Sequence, residues 1–181
     1  MTIIFATQSA NKLEEAERIL GTSIENYDID LPEIQAVDVE DVVIYKAKYA
    51  YAVIKKPVMV EDTGLFIDAL NGLPGALIKW FVERMGVDGI CRMMRSFDDR
   101  SAVARTIIAT YDGSHAPRVF RGEISGQIAN RPRGSQGFGW DAVFIPKGAS
   151  RTFAEMEPEE KDAFSMRRLA LEKMKATLTQ K

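Results

Sequence analysis

Cysteine and histidine are almost missing: Cys91 and His115 are the only ones in 181 residues. A single thiol cannot close an internal disulfide. One residue of each kind supports neither a zinc enzyme nor a Ser-His-Asp triad. Cys91 lies in the apolar run Gly89–Met94, which predicts a small buried residue rather than a nucleophile. His115 sits in Gly113-Ser114-His115-Ala116-Pro117, a surface turn by composition. Long hydrophobic runs are also missing, and no stretch approaches the roughly 20 apolar residues of a spanning helix. The first residues, Met1–Gln8, carry no basic segment ahead of their short apolar run. No signal peptide is therefore expected, and the cytoplasm is the expected location. Basic charge is not in surplus either: 24 Lys and Arg stand against 26 Asp and Glu, a net charge of −2. That argues against nucleic-acid or membrane partners. The phosphate-binding patterns G-x-x-x-x-G-K-[ST] and G-x-G-x-x-G are absent. An anionic substrate would have to be held by a local group of cations.

What is present is an ordinary globular mixture, 46% hydrophobic and 28% charged, enough for one domain with a sizeable core. Strands are expected at Ile3–Ala6, Ile24–Ile29, Pro57–Val60 and Leu65–Ala69, with turns at Asn71-Gly72 and Pro74-Gly75. A helix follows the first strand and stops at Gly21. A longer one runs from an Asp38 cap to about Ile54, and two more cover Ala76–Met85 and Asp88–Ser96. Ala102–Tyr111, Arg118–Arg121 and Ile124–Ile128 form an antiparallel meander, Ala142–Ile145 adds a short strand, and a last helix reaches about Leu178. The order predicts an α/β fold with a mixed sheet and flanking helices, in two lobes around a central cleft.

Four constellations carry chemistry. Val58–Gly64 places Glu61 and Asp62 side by side after a buried strand. Strand neighbours face opposite ways, so the two acids are not expected to share one role. Carboxylate oxygens suit magnesium, which one or two of them hold together with substrate phosphates. Glu33, in the proline-fixed loop Asp30-Leu31-Pro32-Glu33, could add another. Thr7-Gln8-Ser9-Ala10-Asn11-Lys12 lies between a strand and a helix, where free N–H groups and a lysine make either a phosphate cradle or a simple helix cap. Gln136-Gly137-Phe138-Gly139-Trp140-Asp141 offers rings to stack on a base and a carboxylate for its edge, or else a bulged strand with core aromatics. In Lys161–Arg168, Ser165 is a candidate N-cap that would put Met166 and Arg167 in a first turn. A helix starting at Pro158 would instead align Lys161, Ser165 and Arg168.

Taken in order, these motifs resemble the inosine triphosphate pyrophosphatase family, and the likeness spans nearly the whole chain. It also takes in Gly72-Leu73-Pro74-Gly75, Ile78-Lys79-Trp80-Phe81 and Phe120-Arg121-Gly122. The resemblance implies an elongated fold, a homodimer, and hydrolysis of ITP, deoxy-ITP and XTP to monophosphate and pyrophosphate with Mg2+. It implies that Glu33 and Asp62 bind the metal and that Asp62, with Glu61 and Lys12, serves catalysis. Thr7, Gln8, Ser9, Ala10, Asn11, Lys12, Lys46, Thr63 and Lys161 would hold phosphates or ribose. Phe138, Gly139, Trp140, Asp141, Met166 and Arg167 would meet the base. Two departures stand out: Met166 where the family commonly has histidine, and Gln8-Ser9 where it commonly has Gly-Asn. They leave a broader triphosphate specificity, or a nucleotide sensor without turnover, as the alternatives.

Overall fold

The computed structural model describes residues 3–179. Among these the chain forms seven strands and five α-helices. In order they are β1 (Ile4–Ala6), α1 (Ala10–Leu20), β2 (Asn26–Tyr27), α2 (Val39–Ile54), β3 (Val58–Ile67), β4 (Pro74–Gly75), α3 (Ile78–Met93), β5 (Ser101–Tyr111), β6 (Arg118–Ile128), β7 (Phe144–Pro146), α4 (Pro158–Phe164) and α5 (Met166–Thr179). The strands make one mixed sheet in the order β2-β1-β3-β5-β6-β7, with β4 paired to the far end of β3. β1 runs parallel to β2 and β3, and the other pairings are antiparallel. No helix among the described residues is long and apolar enough to cross a membrane.

Local chemistry accounts for the helix ends. Ser9 caps α1 by accepting from the Lys12 amide, and Gly21 closes it in the left-handed region at φ 68°. Asp38 accepts from the Glu40 amide at the start of α2, whose first turn carries Glu40 and Asp41. The buried positions of α2, Val39, Val42, Val43, Lys46, Ala47 and Ala50, recur at three- and four-residue steps, with a lysine inside the apolar stripe. The two helices expected over Ala76–Ser96 are the two arms of α3, broken at Gly86 (φ 69°, ψ 169°). Cys91 is buried and His115 lies exposed in a turn at φ 61°.

Several strand boundaries differ from the sequence reading. Pro57–Val60 and Leu65–Ala69 are not separate strands. β3 runs unbroken through Glu61, Asp62 and Gly64, in register with β5 from Val58↔Tyr111 to Ile67↔Ala102. Gly64 is there for close packing rather than for a turn: a Cβ on it would come within 2.6 Å of Val39 Cγ2 and 3.0 Å of the Gly75 backbone. The Pro74-Gly75 turn is instead the short strand β4. The two strands expected within Arg118–Ile128 are the single β6, where Gly122 lets α5 approach. A Cβ there would collide with the Met166 carbonyl. The strand expected at Ile24–Ile29 shrinks to two residues, and that at Ala142–Ile145 shifts to Phe144–Pro146 behind a 3-10 turn. Both alternatives for the last helix hold in part. α4 and α5 meet at Ser165, whose hydroxyl accepts from the Arg167 and Arg168 amides at 3.1 and 3.3 Å.

The core follows the two-residue period of β3. Val58 and Val60 pack with Val39, Val43 and Ala47 of α2. Met59 faces the other way, among Ala16 of α1 and Ala170, Leu171 and Met174 of α5. Beyond Gly64 a third cluster gathers Leu65 and Ile67 with Ile90, Trp140, Phe144 and Phe153. Each fully buried large side chain contributes about 1.5–3 kcal/mol, so three such clusters fix β3 firmly at both ends. The polar residues Glu61, Asp62 and Thr63 fall between them.

Candidate active site

β3 is paired along its whole length by β5 on one edge only. On its other edge β1 covers Val58 and Met59, and β4 covers Leu65 and Phe66. Among the described residues, Val60–Gly64 has no strand partner on that edge, and a cleft of about 420 Å3 opens there. That volume suits a small-molecule ligand. Because the sheet is interrupted, side chains from both of its faces reach the same space. Glu61 and Asp62 point to opposite faces yet both line the cleft. They are not strand-end acids, as the sequence suggested, but mid-strand acids beside a missing neighbour.

The α2 side sets Asp62 and Lys46, both buried, beside Glu33, which is about a third exposed. Asp62 Oδ1 accepts from the Thr63 amide at 3.0 Å. Lys46 Nζ lies 2.7 Å from Glu33 Oε1 and 3.5 Å from Asp62 Oδ2. Lys79 stands 3.9 Å from Glu33 Oε2. Burial would raise the Glu33 carboxyl, but Lys46, Lys79 and Lys12 outweigh it and hold it below its ordinary value. Lys12, one turn into α1, bridges the two sides at 3.6 Å from Glu61 Oε1 and 3.8 Å from Asp62 Oδ1.

On the α1/α5 side the charges are buried and fully engaged. Arg167 grips Glu61 with two bonds, Nε to Oε2 at 2.7 Å and Nη2 to Oε1 at 2.8 Å, and its Nη1 donates to Glu15. The Thr63 hydroxyl adds a bond to Glu61 Oε1 at 3.2 Å. Burial alone would raise the Glu61 carboxyl. The Arg167 guanidinium and the Lys12 ammonium overcome that and bring it down to about 2. Burial would likewise lower Arg167, but Glu61 and Glu15 keep it firmly protonated. Lys161 donates to Glu15 Oε1 at 2.6 Å and to Asp141 Oδ2 at 2.7 Å. Asp141 Oδ2 also accepts from the Phe138 amide at 2.9 Å and so fixes the loop. Gly137, at φ 72°, has no room for a Cβ against that carboxylate. The Asp141 carboxyl is raised by its burial despite Lys161. The Phe138 ring lies 4.8 Å from Lys161 Nζ and 5.7 Å from the Arg167 guanidinium carbon.

Of the residues singled out from the sequence, the cleft brings together Thr7, Gln8, Ser9, Lys12, Glu33, Lys46, Glu61, Asp62, Thr63, Phe138, Gly139, Trp140, Asp141, Lys161, Met166 and Arg167. Ala10 and Asn11 are exposed on the first turn of α1 and do not line it. Trp140 borders the cleft but is 7% exposed and packed on Phe144 and Phe153, at 5.6 and 6.4 Å between ring centres. That leaves Phe138 as the ring free to stack. The Gln136–Asp141 segment is a loop, not a bulged strand. Gln8 stands outside the left-handed region, where the non-glycine residues are Lys55, Asn71 and His115, so its backbone does not call for glycine. Sequence reasoning passed over Glu15 and Lys79 as site residues. Glu15 is an acid on the buried face of α1, and only that placement marked it out. Lys79 follows the loop that brings α3 to the cleft mouth.

Could the site hold a metal? Among the described residues no group of three or more His, Cys, Asp or Glu forms a cage. Glu33 and Asp62 do converge on one cation, the Lys46 ammonium. Two converging carboxylates in an open cleft fit magnesium, which completes its shell with water and phosphate oxygens.

Fold and site define a class: a mixed α/β protein whose interrupted sheet sets paired carboxylates among lysines at a helix N-terminus. The Ham1 family model matches residues 3–177. An inosine triphosphate pyrophosphatase of Yarrowia lipolytica is 44% identical over 100% of this chain and 97% of its own length. A dITP/XTP pyrophosphatase of Methanopyrus kandleri is 40% identical over 96% of this chain and 94% of its own. The solved structure of a HAM1 protein from Coxiella burnetii superposes with a TM-score of 0.84 at 31% identity, covering 100% of both chains. The chain belongs to the Ham1 family.

Proposed function

We propose that this protein hydrolyses inosine, deoxyinosine and xanthosine triphosphates to the monophosphate and pyrophosphate, with magnesium. The chain is a nucleoside triphosphate pyrophosphohydrolase, the activity for which its relatives are named. One observation carries the reading: the cleft beside β3 is lined both by the Glu33–Asp62 pair, Lys12, Lys46, Lys79 and the start of α1, and by the Phe138 ring. A polyphosphate needs the first set and a base needs the second.

Glu33 and Asp62 would hold the magnesium, which supplies charge neutralisation on the phosphate oxygens. Lys12, Lys46 and Lys79 bring further positive charge, and the N-terminus of α1 adds its dipole. Asp62 keeps a carboxylate oxygen directed to the cleft and is the residue to orient the attacking water. Glu61 has both oxygens in the grip of Arg167, so its part is to hold that guanidinium and Lys12 in place. Phe138 stacks on the base. Arg167 and Lys161 act from beneath it, tied to Glu61, Glu15 and Asp141. The same reading includes a homodimer in the cytoplasm.

A second reading, broader triphosphate specificity, is favoured by Met166. Its buried thioether borders the cleft and offers no N–H to a base oxygen. A panel of ITP, XTP, GTP, ATP and dTTP with and without magnesium tests both. Pyrophosphate release is expected to be at least about tenfold faster for ITP and XTP, since each unpaired buried polar group costs about 1–3 kcal/mol. Equal kcat/KM across the panel rejects the purine-selective reading. Hydrolysis at full rate in EDTA rejects magnesium.

A further inference from the structure

Among the described residues, Lys46 alone ion-pairs with both Glu33 and Asp62, at 2.7 and 3.5 Å. It does so from inside the apolar stripe of α2, with its side chain only 6% exposed. Without that charge only Lys12, 3.8 Å from Asp62, and Lys79, 3.9 Å from Glu33, would offset the repulsion between the two carboxylates. A divalent cation held by the same oxygens would sit about 2.0–2.1 Å from each. The ammonium and the metal therefore cannot occupy the space together.

The geometry points to Lys46 as an exchangeable cation that fills the divalent-metal position of the Glu33–Asp62 pair until a substrate phosphate draws its ammonium away. This rests on the reading of Glu33 and Asp62 as the metal pair. Its consequence is coupling. A displaced ammonium that is nearly buried needs a new anion, and the polyphosphate is the anion the cleft accepts. Metal and nucleotide then enter together, and the free enzyme resists loading with metal alone. A merely structural Lys46, anchoring the Glu33 loop, has the opposite consequence: its removal loosens Glu33 and weakens metal binding.

The experiment measures Mn2+ binding by electron paramagnetic resonance, with Mg2+ competition and no nucleotide. It compares the full chain with Lys46→Met, which keeps the buried stem, Lys46→Arg, which keeps the charge, and Lys46→Met/Glu33→Gln. Lys46→Met is expected to bind Mn2+ about tenfold tighter or more. Lys46→Arg stays as weak as the parent, and the double variant loses the gain. If Lys46→Met does not fold, Lys46→Gln is read the same way. Affinity in Lys46→Met equal to or below the parent's, with the parent still needing a divalent ion for turnover, overturns the exchange and leaves the proposed function standing. Full activity of the parent in EDTA overturns both, which separates the two failures.

Discussion

The two faces of β3 handle charge in contrasting ways. Toward α2, Asp62 and Glu33 share one lysine and keep part of their surface in the cleft, with Glu33 about a third exposed. Toward α1 and α5, Glu61, Glu15, Asp141, Lys161 and Arg167 are nearly all buried, and each is bonded to another of the set. Charges held loosely at an opening can trade partners with a ligand. Charges locked in a dry network cannot do so without losing stability, because an unpaired buried ion is expensive. One residue step along a strand thus separates a carboxylate that meets the cleft on the α2 side from one locked into the framework.

The sharpest way to break that comparison is Asp62→Asn. It removes the carboxylate that lines the cleft on the α2 side and leaves the Glu61–Glu15–Asp141 network alone. A loss of about 100- to 10,000-fold in kcat is expected, with the thermal midpoint nearly unchanged. Turnover close to that of the parent would show that the open face does not carry the chemistry.

Arg167→Met attacks the other face. It takes the guanidinium from two buried carboxylates, leaving Glu61 with Lys12 and the Thr63 hydroxyl and Glu15 with Lys161, and urea denaturation is expected to record a loss of about 3–5 kcal/mol. Adding Glu61→Gln to it should recover part of the loss. The acid response follows from the same contact. The folded-state value of Glu61 lies below its ordinary 4.5, at about 2, so its contribution to stability is complete above pH 4.5. That contribution declines as pH falls toward 2, and the decline should be shallower in Glu61→Gln. An acid-unfolding curve identical in the two proteins would remove Glu61 from the stabilising network.

The smallest expected effect is at Phe138 in the cleft lining. Phe138→Ala removes the half-buried ring that faces Lys161 and Arg167. Stacking of about 1–3 kcal/mol translates into a rise of roughly 5- to 150-fold in KM for a purine triphosphate, with kcat much less affected. Mn2+ affinity should not move. A drop in kcat alone would mean that Phe138 positions the phosphates instead.

Much of this was legible in the residue order. The alternation of β3 already separated Glu61 from Asp62, and Asp38 and Ser165 announced helix starts that the hydrogen bonds bear out. The glycines were harder. Gly64 and Gly122 read as breaks between strands, because a sequence does not show whether a glycine serves a turn or a close neighbour. Phe138 and Trp140 looked like equal candidates for stacking on a base, and only the packing of Trp140 on Phe144 and Phe153 set them apart.

By itself the sequence determined the α/β class, helix caps at Asp38 and Ser165, the scarcity of cysteine and histidine, and which short motifs carry acids, lysines and rings. Those properties are local, set by side-chain period and by groups a few residues apart. Only the tertiary structure decided that β1 stops short and β4 starts late, which opens the sheet beside β3. It alone joined Arg167 to Glu61 across 106 residues and gave Lys46 two carboxylates. Electrostatic partners are chosen by distance and burial in space, and neither is written in the spacing of the chain.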